Sequence, residues 1–553
     1  MSTQLENVKV LEPRVNVKAD VEKDHVVLQG GLRVNEQVNV ADSWGSAGAV
    51  PVQASWTVNP PSTSTIVDRN IKVRCYFEVS TDQPLQLGLN DALRQFPIAS
   101  IMDVLTVQIN GETISDNMAD KIHALLCYGN DAETRRGDAS TSPSMPDMYQ
   151  EYSDYSVYGS GKNSLSNYGE QSVEEGRGGF PVEVLSSTSF RVVITEPLFI
   201  SPFLNGLHRS DEGFVNVNQM NINMRWKQNI SQLLSHSSLG NAITSVSVSM
   251  YQAPELLTTF ITPDLTQQIP QLQVLPYNKT QEYIKQMSSL SAGASTQVVS
   301  DSIKLSQVPR KLYLFCRHQR STSNQNTADS FLSLENLSVL WNNQSGLFSS
   351  ATPQDLYRIS KHNGLNLTWS QFSKYRGSVF CAEFGKDVGL LDSEAPGCQG
   401  QYTIQVQATF KNQSSSAFTG EFYMIVLNEG TFSISENFAR ASLGNLNQQA
   451  VLMAKQSPEL HHITYEQLQG GGFFSGLKNI VNKIARGIQT VAQSPITQKI
   501  VGTLAPEFAP MVSGIGQVAG MARKATGGRV AGGRVAGGGV SGGGRKMKRL
   551  SRR

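Results

Sequence analysis

The chain has 553 residues, 39% hydrophobic and 17% charged, with a formal net charge of +2. This is ample for packed cores but light on charge; Asn, Gln, Ser and Thr fill the gap, as in β proteins with long polar loops. The near-neutral total hides an uneven split: residues 472–553 hold 14 Lys and Arg against one acid, Glu507, a net of +13, so residues 1–471 carry −11. Met1 to about Asp24 offers no apolar core of about 7–15 residues such as a signal peptide has. No later stretch reaches the roughly 18 apolar residues of a membrane span, so synthesis and folding in a cytosolic or nuclear compartment are expected. Cys75, Cys127, Cys316, Cys381 and Cys398 are odd in number, scattered and without a C-x-x-C pair. That excludes a disulfide framework or a zinc site and predicts buried free thiols.

In chain order, strand signals dominate residues 60–440. Ile71–Ser80 and Ser189–Pro197 are rich in β-branched and aromatic residues, and Val215–Trp226 alternates apolar with polar for twelve residues, predicting a half-buried antiparallel strand. Ala242–Ala253, Lys311–His318, Tyr402–Phe410 and Glu421–Ser435 repeat the style. The class is all-β with short helical excursions.

The order of elements repeats. Strand 71–80 is followed by Val104–Asn110, a turn at Asn110-Gly111 and a helix-like Met118–Leu126. Strand 311–318 is followed by Leu334–Leu340, a turn over Asn342–Gly346 and a helix-like Pro353–Ser360. Pattern alone leaves open whether this is a duplication or the echo that any all-β chain shows. Pro263, Pro270 and Pro276 mark Pro254–Thr296 as a semi-rigid link between the halves.

Several runs carry a resemblance: EPLFISPFLNG (196–206), WNNQSGLFSSATPQDLYRISKHNG (341–364) with LTWSQF (367–372), SVFCAEFGKDVGL (378–390) and FYMIVLNEGTFSI (422–434). Over about residues 60–440 the chain resembles double-jelly-roll major capsid proteins of the polinton, adintovirus and adenovirus lineage. The resemblance implies two tandem jelly-roll sandwiches: an N-terminal arm at 1–55, a first jelly roll at 56–260, a second at 261–445 and a linker at 446–471. It further implies a homotrimer forming a pseudo-hexagonal capsomer of an icosahedral shell, contacts with neighbouring capsomers and minor or penton proteins, and a double-stranded DNA genome. The expected location is the virion, after assembly in the host nucleus or cytoplasm. Cyclic trimers built through heterologous contacts suit such a role.

At the foot of the linker, Leu468-Gln469-Gly470-Gly471-Gly472 fits the pattern cut by adenovirus-type maturation proteases, whose clefts favour glycine because an extended backbone can lie close without a Cβ clash. The expected cut is Gly471–Gly472, made by a separate protease; the other reading is a glycine hinge. Next, at 472–495, Phe473, Phe474, Leu477, Ile480, Ile484 and Ile488 recur at helical spacing opposite Lys478 and Arg486. This cationic amphipathic helix has the composition of one lying transiently on a membrane. It is similar in character to the membrane-disrupting helix of adenovirus internal protein VI, although there it belongs to a separate polypeptide. The alternative is a helix docked beneath the capsomer. The Gly-rich tail, 496–553, cannot bury a core. Its basic residues Arg523, Lys524, Arg529, Arg534, Arg545, Lys546, Lys548, Arg549, Arg552 and Arg553 predict salt-sensitive, sequence-independent binding to nucleic acid; 545–549 could equally be a nuclear import signal.

No catalytic residue, cofactor or metal is expected: the eight histidines form no ligand cluster, and no Walker loop, G-x-S-x-G or carboxylate pair stands out. Arg136-Gly137-Asp138 is the one receptor-like tripeptide. The reading is a viral major capsid protein, not an enzyme. Its rival is a virion or cell-surface β-sandwich that attaches to a host or binds glycans, which predicts clustered exposed aromatics and no tiling.

Overall fold

The computed structural model describes residues 33–455 except for 63, 86, 88–90, 95, 129–181, 204–212, 228–229, 237–241, 263–270, 328 and 415–416. Alternating apolar and polar residues give sheets with one buried face, and the first half follows that rule. Its strands are β1 (Arg33–Val40), β2 (Gln53–Val58), β3 (Ile66–Val67), β4 (Lys72–Thr81), β5 (Asp91–Leu93) and β6 (Met102–Ile109). They continue through β7 (Glu112–Asp116), β8 (Val182–Ser186), β9 (Ser189–Pro197), β10 (Met220–Trp226), β11 (Leu234–His236) and β12 (Val246–Thr262). One sheet runs β1-β12-β4-β9-β8, with β3 on β12, and a second runs β2-β10-β6-β7; β5 and β11 form a separate pair. Cys75 and Phe77 from the first sheet and Trp56 and Leu105 from the second share one core.

The second half contains β13 (Leu272–Gln286), β14 (Ser295–Val299), β15 (Ile303–Gln307), β16 (Lys311–His318) and β17 (Ser333–Trp341). It ends with β18 (Gln344–Leu347), β19 (Val379–Glu383), β20 (Gln399–Lys411), β21 (Gly420–Ser435) and β22 (Ala439–Leu443). Its sheets run β13-β21-β16-β19, with β22 on β21, and β14-β20-β17-β18, with β15 on β20. Eight strands of the first half have counterparts in the second by sheet order: β1 with β13, β2 with β14 and β15, β4 with β16, β6 with β17, β7 with β18, β9 with β19, β10 with β20, β12 with β21. Each is a two-sheet jelly roll. The repeat in the sequence is therefore a repeat of fold.

Local chemistry sets the shared hairpins. Asn110 and Gly111 join β6 to β7 at φ 44 and 90, the left-handed pair of a tight hairpin turn. The α-helices are α1 (Pro97–Ile101), α2 (Ile122–Leu125), α3 (Pro353–His362) and α4 (Gln448–Lys455), with a 3-10 turn at Ser231–Leu233 and a π-helical turn at Gln371–Tyr375. Thr352 and Asp355 form a reciprocal capping box at the start of α3, with Pro353 in its first turn.

Five expectations are corrected. Pro254–Thr296 is not a linker: β12 runs to Thr262, and β13 pairs with β21 from Leu272 to Gln286. Pro276 is tolerated there because β13 is an edge strand, where a missing N–H interrupts no second ladder. Val215–Trp226 is a strand only from Met220, since Asn216 sits at φ 60. The helix foreseen at Met118–Leu126 is confined to Ile122–Leu125. Part of the foreseen arm, Arg33–Val40, is sheet paired along β12. Finally, α4 occupies the start of the foreseen linker. All five cysteines are buried free thiols.

Candidate functional site

The site with the most chemistry is the seam between the two jelly rolls, and strand β16 shows why it forms. Its sequence KLYLFCRH does not alternate, and its six central residues are all buried. Leu312, Leu314 and Cys316 fill the core of the second sandwich, while Tyr313 and Phe315 leave it on the opposite face. In β21, Phe422, Met424 and Val426 likewise turn inward while Tyr423 and Ile425 turn outward. A sheet buried on both faces has no use for alternation. The outward layer, with Val379 and Cys381, is covered by Leu365, Leu367 and Phe372 of the same half and by Ala124, Cys127 and Tyr128 of the first half. Phe315 stacks on Tyr423 at 5.1 Å and meets Phe331 edge-on at 5.3 Å. The Tyr128 hydroxyl donates to the Val379 carbonyl at 2.6 Å, and the Asn366 amide donates to the Cys127 carbonyl at 2.8 Å.

A polar band borders this layer. Asp120 accepts from Lys227 at 3.1 Å and lies 3.0 Å from Arg320 and 3.7 Å from Arg317. Burial alone would raise the Asp120 pKa, but these three cations outweigh it and hold it below its usual value. Arg317 also donates to the Ala119 and Asp120 carbonyls at 3.2 and 2.8 Å. Arg94 donates to Asp329 at 2.7 Å and to the Thr327 carbonyl at 2.5 Å. His123 lies between Ser100 Oγ, 3.0 Å away, and Asp329, 3.3 Å away. Burial pushes its pKa down to about 4; Asp329 opposes, and Arg376, Arg317 and Arg94 add to the fall. Fully buried Lys121 pairs with Asp116 and, across the seam, with Glu282 at 2.7 Å and Thr280 at 2.6 Å.

At the other end of the seam the Asn110 side chain donates to the Asn216 and Ser435 carbonyls at 2.7 and 2.8 Å, and Glu112 accepts from the Ala441 amide at 3.0 Å. Leu275, Tyr277, Phe432 and Ile434 of the second half join the first core. Apolar fit plus satisfied buried charge makes one block from two sandwiches. Among the described residues no group of three or more His, Cys, Asp or Glu could hold a metal.

The residues singled out in the sequence, Leu468 to Gly472, Phe473 to Ile488 and Arg523 to Arg553, lie outside the described residues, as does Arg136-Gly137-Asp138. The seam residues escaped the sequence reading because Asp120 and Arg317 are about 200 positions apart. One signal was present: Arg317 sits in an otherwise apolar run, and Asp120-Lys121 adjoins a helix that is itself apolar.

A family model described as the first domain of the Sputnik virophage major capsid protein matches residues 3–189, and one for the major capsid protein V20 C-terminal domain matches residues 277–430. A putative capsid protein V20 of Sputnik virophage is 32% identical over 574 aligned residues, covering 94% of both chains. In the cryo-EM structure of the Sputnik virophage, a chain with 32% identity superposes with a TM-score of 0.71, over 82% of this chain and 96% of that one. The mavirus major capsid protein shares the fold at 15% identity, with a TM-score of 0.60 over 79% of this chain and 94% of its own. With that identity spread across both jelly rolls, the chain belongs to the Sputnik virophage major capsid protein family and is a structural protein of the virion, not an enzyme.

Proposed function

We propose that three copies of this chain close into a pseudo-hexagonal capsomer that tiles an icosahedral shell, alongside other capsomers and minor or penton proteins. One observation carries the reading: two like-folded blocks are locked together by a buried seam, so each copy brings two of the six positions of a ring. Heterologous contacts that repeat around a closed ring need such a fixed relation between blocks. The same repeat supports a place in the polinton, adintovirus and adenovirus-like lineage of double jelly rolls.

The tail extends the proposal. A separate protease cuts Gly471–Gly472 and releases the helix carrying Phe473, Phe474, Leu477, Ile480, Ile484 and Ile488 toward a membrane. The tail cations from Arg523 to Arg553 neutralise the phosphates of a double-stranded DNA genome. The +13 charge of 472–553 against −11 for the remainder supports this division of labour.

Native mass spectrometry before and after an adenovirus-type protease tests both parts. The expected species is a trimer whose subunits each lose 472–553; a monomer at all concentrations removes the capsomer reading. Deleting 521–553 is expected to leave trimers intact and abolish DNA binding that weakens steeply with salt. Salt-insensitive binding, or binding that survives the deletion, would refute the tail's role.

A further inference from the structure

Asn110-Gly111 serves the fold as a hairpin turn, but the same pair is chemically reactive. The backbone nitrogen that follows an asparagine can attack the side-chain amide carbon, and a glycine leaves that nitrogen unshielded by any Cβ. Gly111 is exposed, and a Cβ built on it would meet nothing within 4 Å. Solvent therefore reaches the attacking atom.

The Asn110 side chain, by contrast, is half-buried and held at both of its polar atoms. Nδ2 donates to the Asn216 and Ser435 carbonyls at 2.7 and 2.8 Å, and Oδ1 accepts from the Asn218 amide at 2.8 Å. Asn216 and Asn218 precede β10 in the first jelly roll, whereas Ser435 ends β21 in the second. One amide thus ties the β6–β7 turn to both halves of the chain. Cyclisation expels Nδ2 outright, so it cannot proceed without breaking both carbonyl bonds.

Asn363-Gly364, the other Asn-Gly pair among the described residues, is held in the same way. Asn363 Nδ2 donates to the Cys381 carbonyl at 2.9 Å and to Asp387 at 2.6 Å, and Oδ1 accepts from Lys386 Nζ at 3.0 Å. These partners all belong to the second jelly roll, so the seam has no part in holding Asn363.

We infer that Asn110 is a covalent modification site governed by the seam: it stays an asparagine while the two jelly rolls are locked, and deamidates once they part. In the step, Gly111 N bonds to Asn110 Cγ and the Cγ–Nδ2 bond breaks. The Gly111 proton passes through water to the departing nitrogen, which leaves as ammonia. One water then adds across a C–N bond of the resulting five-membered imide. The product is aspartate, or its isomer in which the main chain runs through Cγ. Nothing is oxidised or reduced. The change also works in one direction. Where Nδ2 donated, the product sets an anionic oxygen against the Asn216 and Ser435 carbonyl oxygens, three acceptors with no proton among them. A seam that has opened for long enough does not close again as it was.

The test follows both sites in the full chain by peptide mass spectrometry during incubation at mildly alkaline pH, with the chain in urea as the unprotected reference. Native conversion at Asn110 is expected to run at least about a hundredfold slower than in urea, since it tracks the open fraction. Glu112→Ala removes the acceptor of the Ala441 amide at this end of the seam. It is expected to speed native conversion at Asn110 at least about tenfold and to leave Asn363 at its wild-type rate. Glu112→Gln, which keeps an oxygen there, is expected to restore protection. For the product, Asn110→Asp is compared with Asn110→Gly, which tolerates φ 44 and lacks the amide but adds no charge. Amide hydrogen exchange over Ser435–Ala441 is expected to be faster in the aspartate variant; failure of that variant alone to fold is the same result in a stronger form. Native conversion within about threefold of the urea rate would overturn the inference. Protection indifferent to Glu112→Ala would place it in the turn alone and do the same. So would an aspartate variant that exchanges no faster than the glycine one, because the lock would then re-form.

Discussion

Asp120→Asn is the sharpest probe of the seam. The carboxylate is 2% exposed and faces three cations from different elements, yet they do not depend on it equally. Arg320 is partly exposed and keeps Asp103, so solvent screening limits its loss. Arg317 keeps two backbone carbonyls. Lys227, 9% exposed, is left without a counter-charge. Removing one partner of a buried pair costs about 3–5 kcal/mol. With a single orphaned cation the expected loss is near the lower end, about 3 kcal/mol. Burial already lowers the Lys227 pKa against the pull of Asp120, so loss of its proton caps the penalty. Lys227→Met alone is expected to destabilise too, while the double variant recovers to within about 1 kcal/mol of the wild type, because replacing both charges leaves none orphaned. The assay is urea unfolding of the four proteins at pH 7 and again near pH 3. The Asp120 pKa is depressed by folding, so its contribution is present above about 3.9, the ordinary aspartate value, and is lost as pH falls through the depressed value. The gap between wild type and Asp120→Asn should therefore shrink in acid. Singles within 0.5 kcal/mol of wild type, or a double variant no better than the sum of the singles, would refute this account of the seam.

Two further outcomes are expected. Because folding lowers the His123 pKa to about 4, the unfolded chain takes up the proton first as pH falls. Stability is complete above the ordinary histidine value, about 6.5, and declines between there and about 4, by about 3 kcal/mol in total. His123→Gln should flatten that stretch of a stability–pH curve, and parallel curves would rule His123 out as the source. Gly377 sits at φ +87, and a Cβ there would lie 1.8 Å from the Phe331 carbonyl oxygen. Gly377→Ala is therefore expected to cost more than about 3 kcal/mol. Gly293→Ala, at φ +71 with open space around it, should cost only about 1–2 kcal/mol. Equal melting shifts for the two alanines would contradict the clash.

What could be read from the sequence was local. The β-branched and aromatic run of Ser189–Pro197, the Asn110-Gly111 turn and the start of α3 at Pro353 were legible because each depends on residues within a few positions. The resemblance to double-jelly-roll capsid proteins was likewise carried by short runs. Strand β13 escaped because three prolines and a polar stretch read as a link, and its strand character comes from pairing with β21, about 150 residues later. The half-buried face of Val215–Trp226 was legible, but not the twist of Asn216 that shortens the strand, since Asn110 receives the neighbouring backbone from another hairpin. The sequence by itself therefore determined an all-β chain with an oppositely charged tail, while its pattern left the duplication open and only the resemblance pointed to two like units. Only the tertiary structure decided that these units share a buried seam, through Asp120, Arg317, Tyr128 and Phe315, with the outer face of the β13-β21-β16-β19 sheet sealed beneath the first unit. Periodicity records whether a residue is buried, whereas the identity of what buries it is a property of chain segments brought together from far apart.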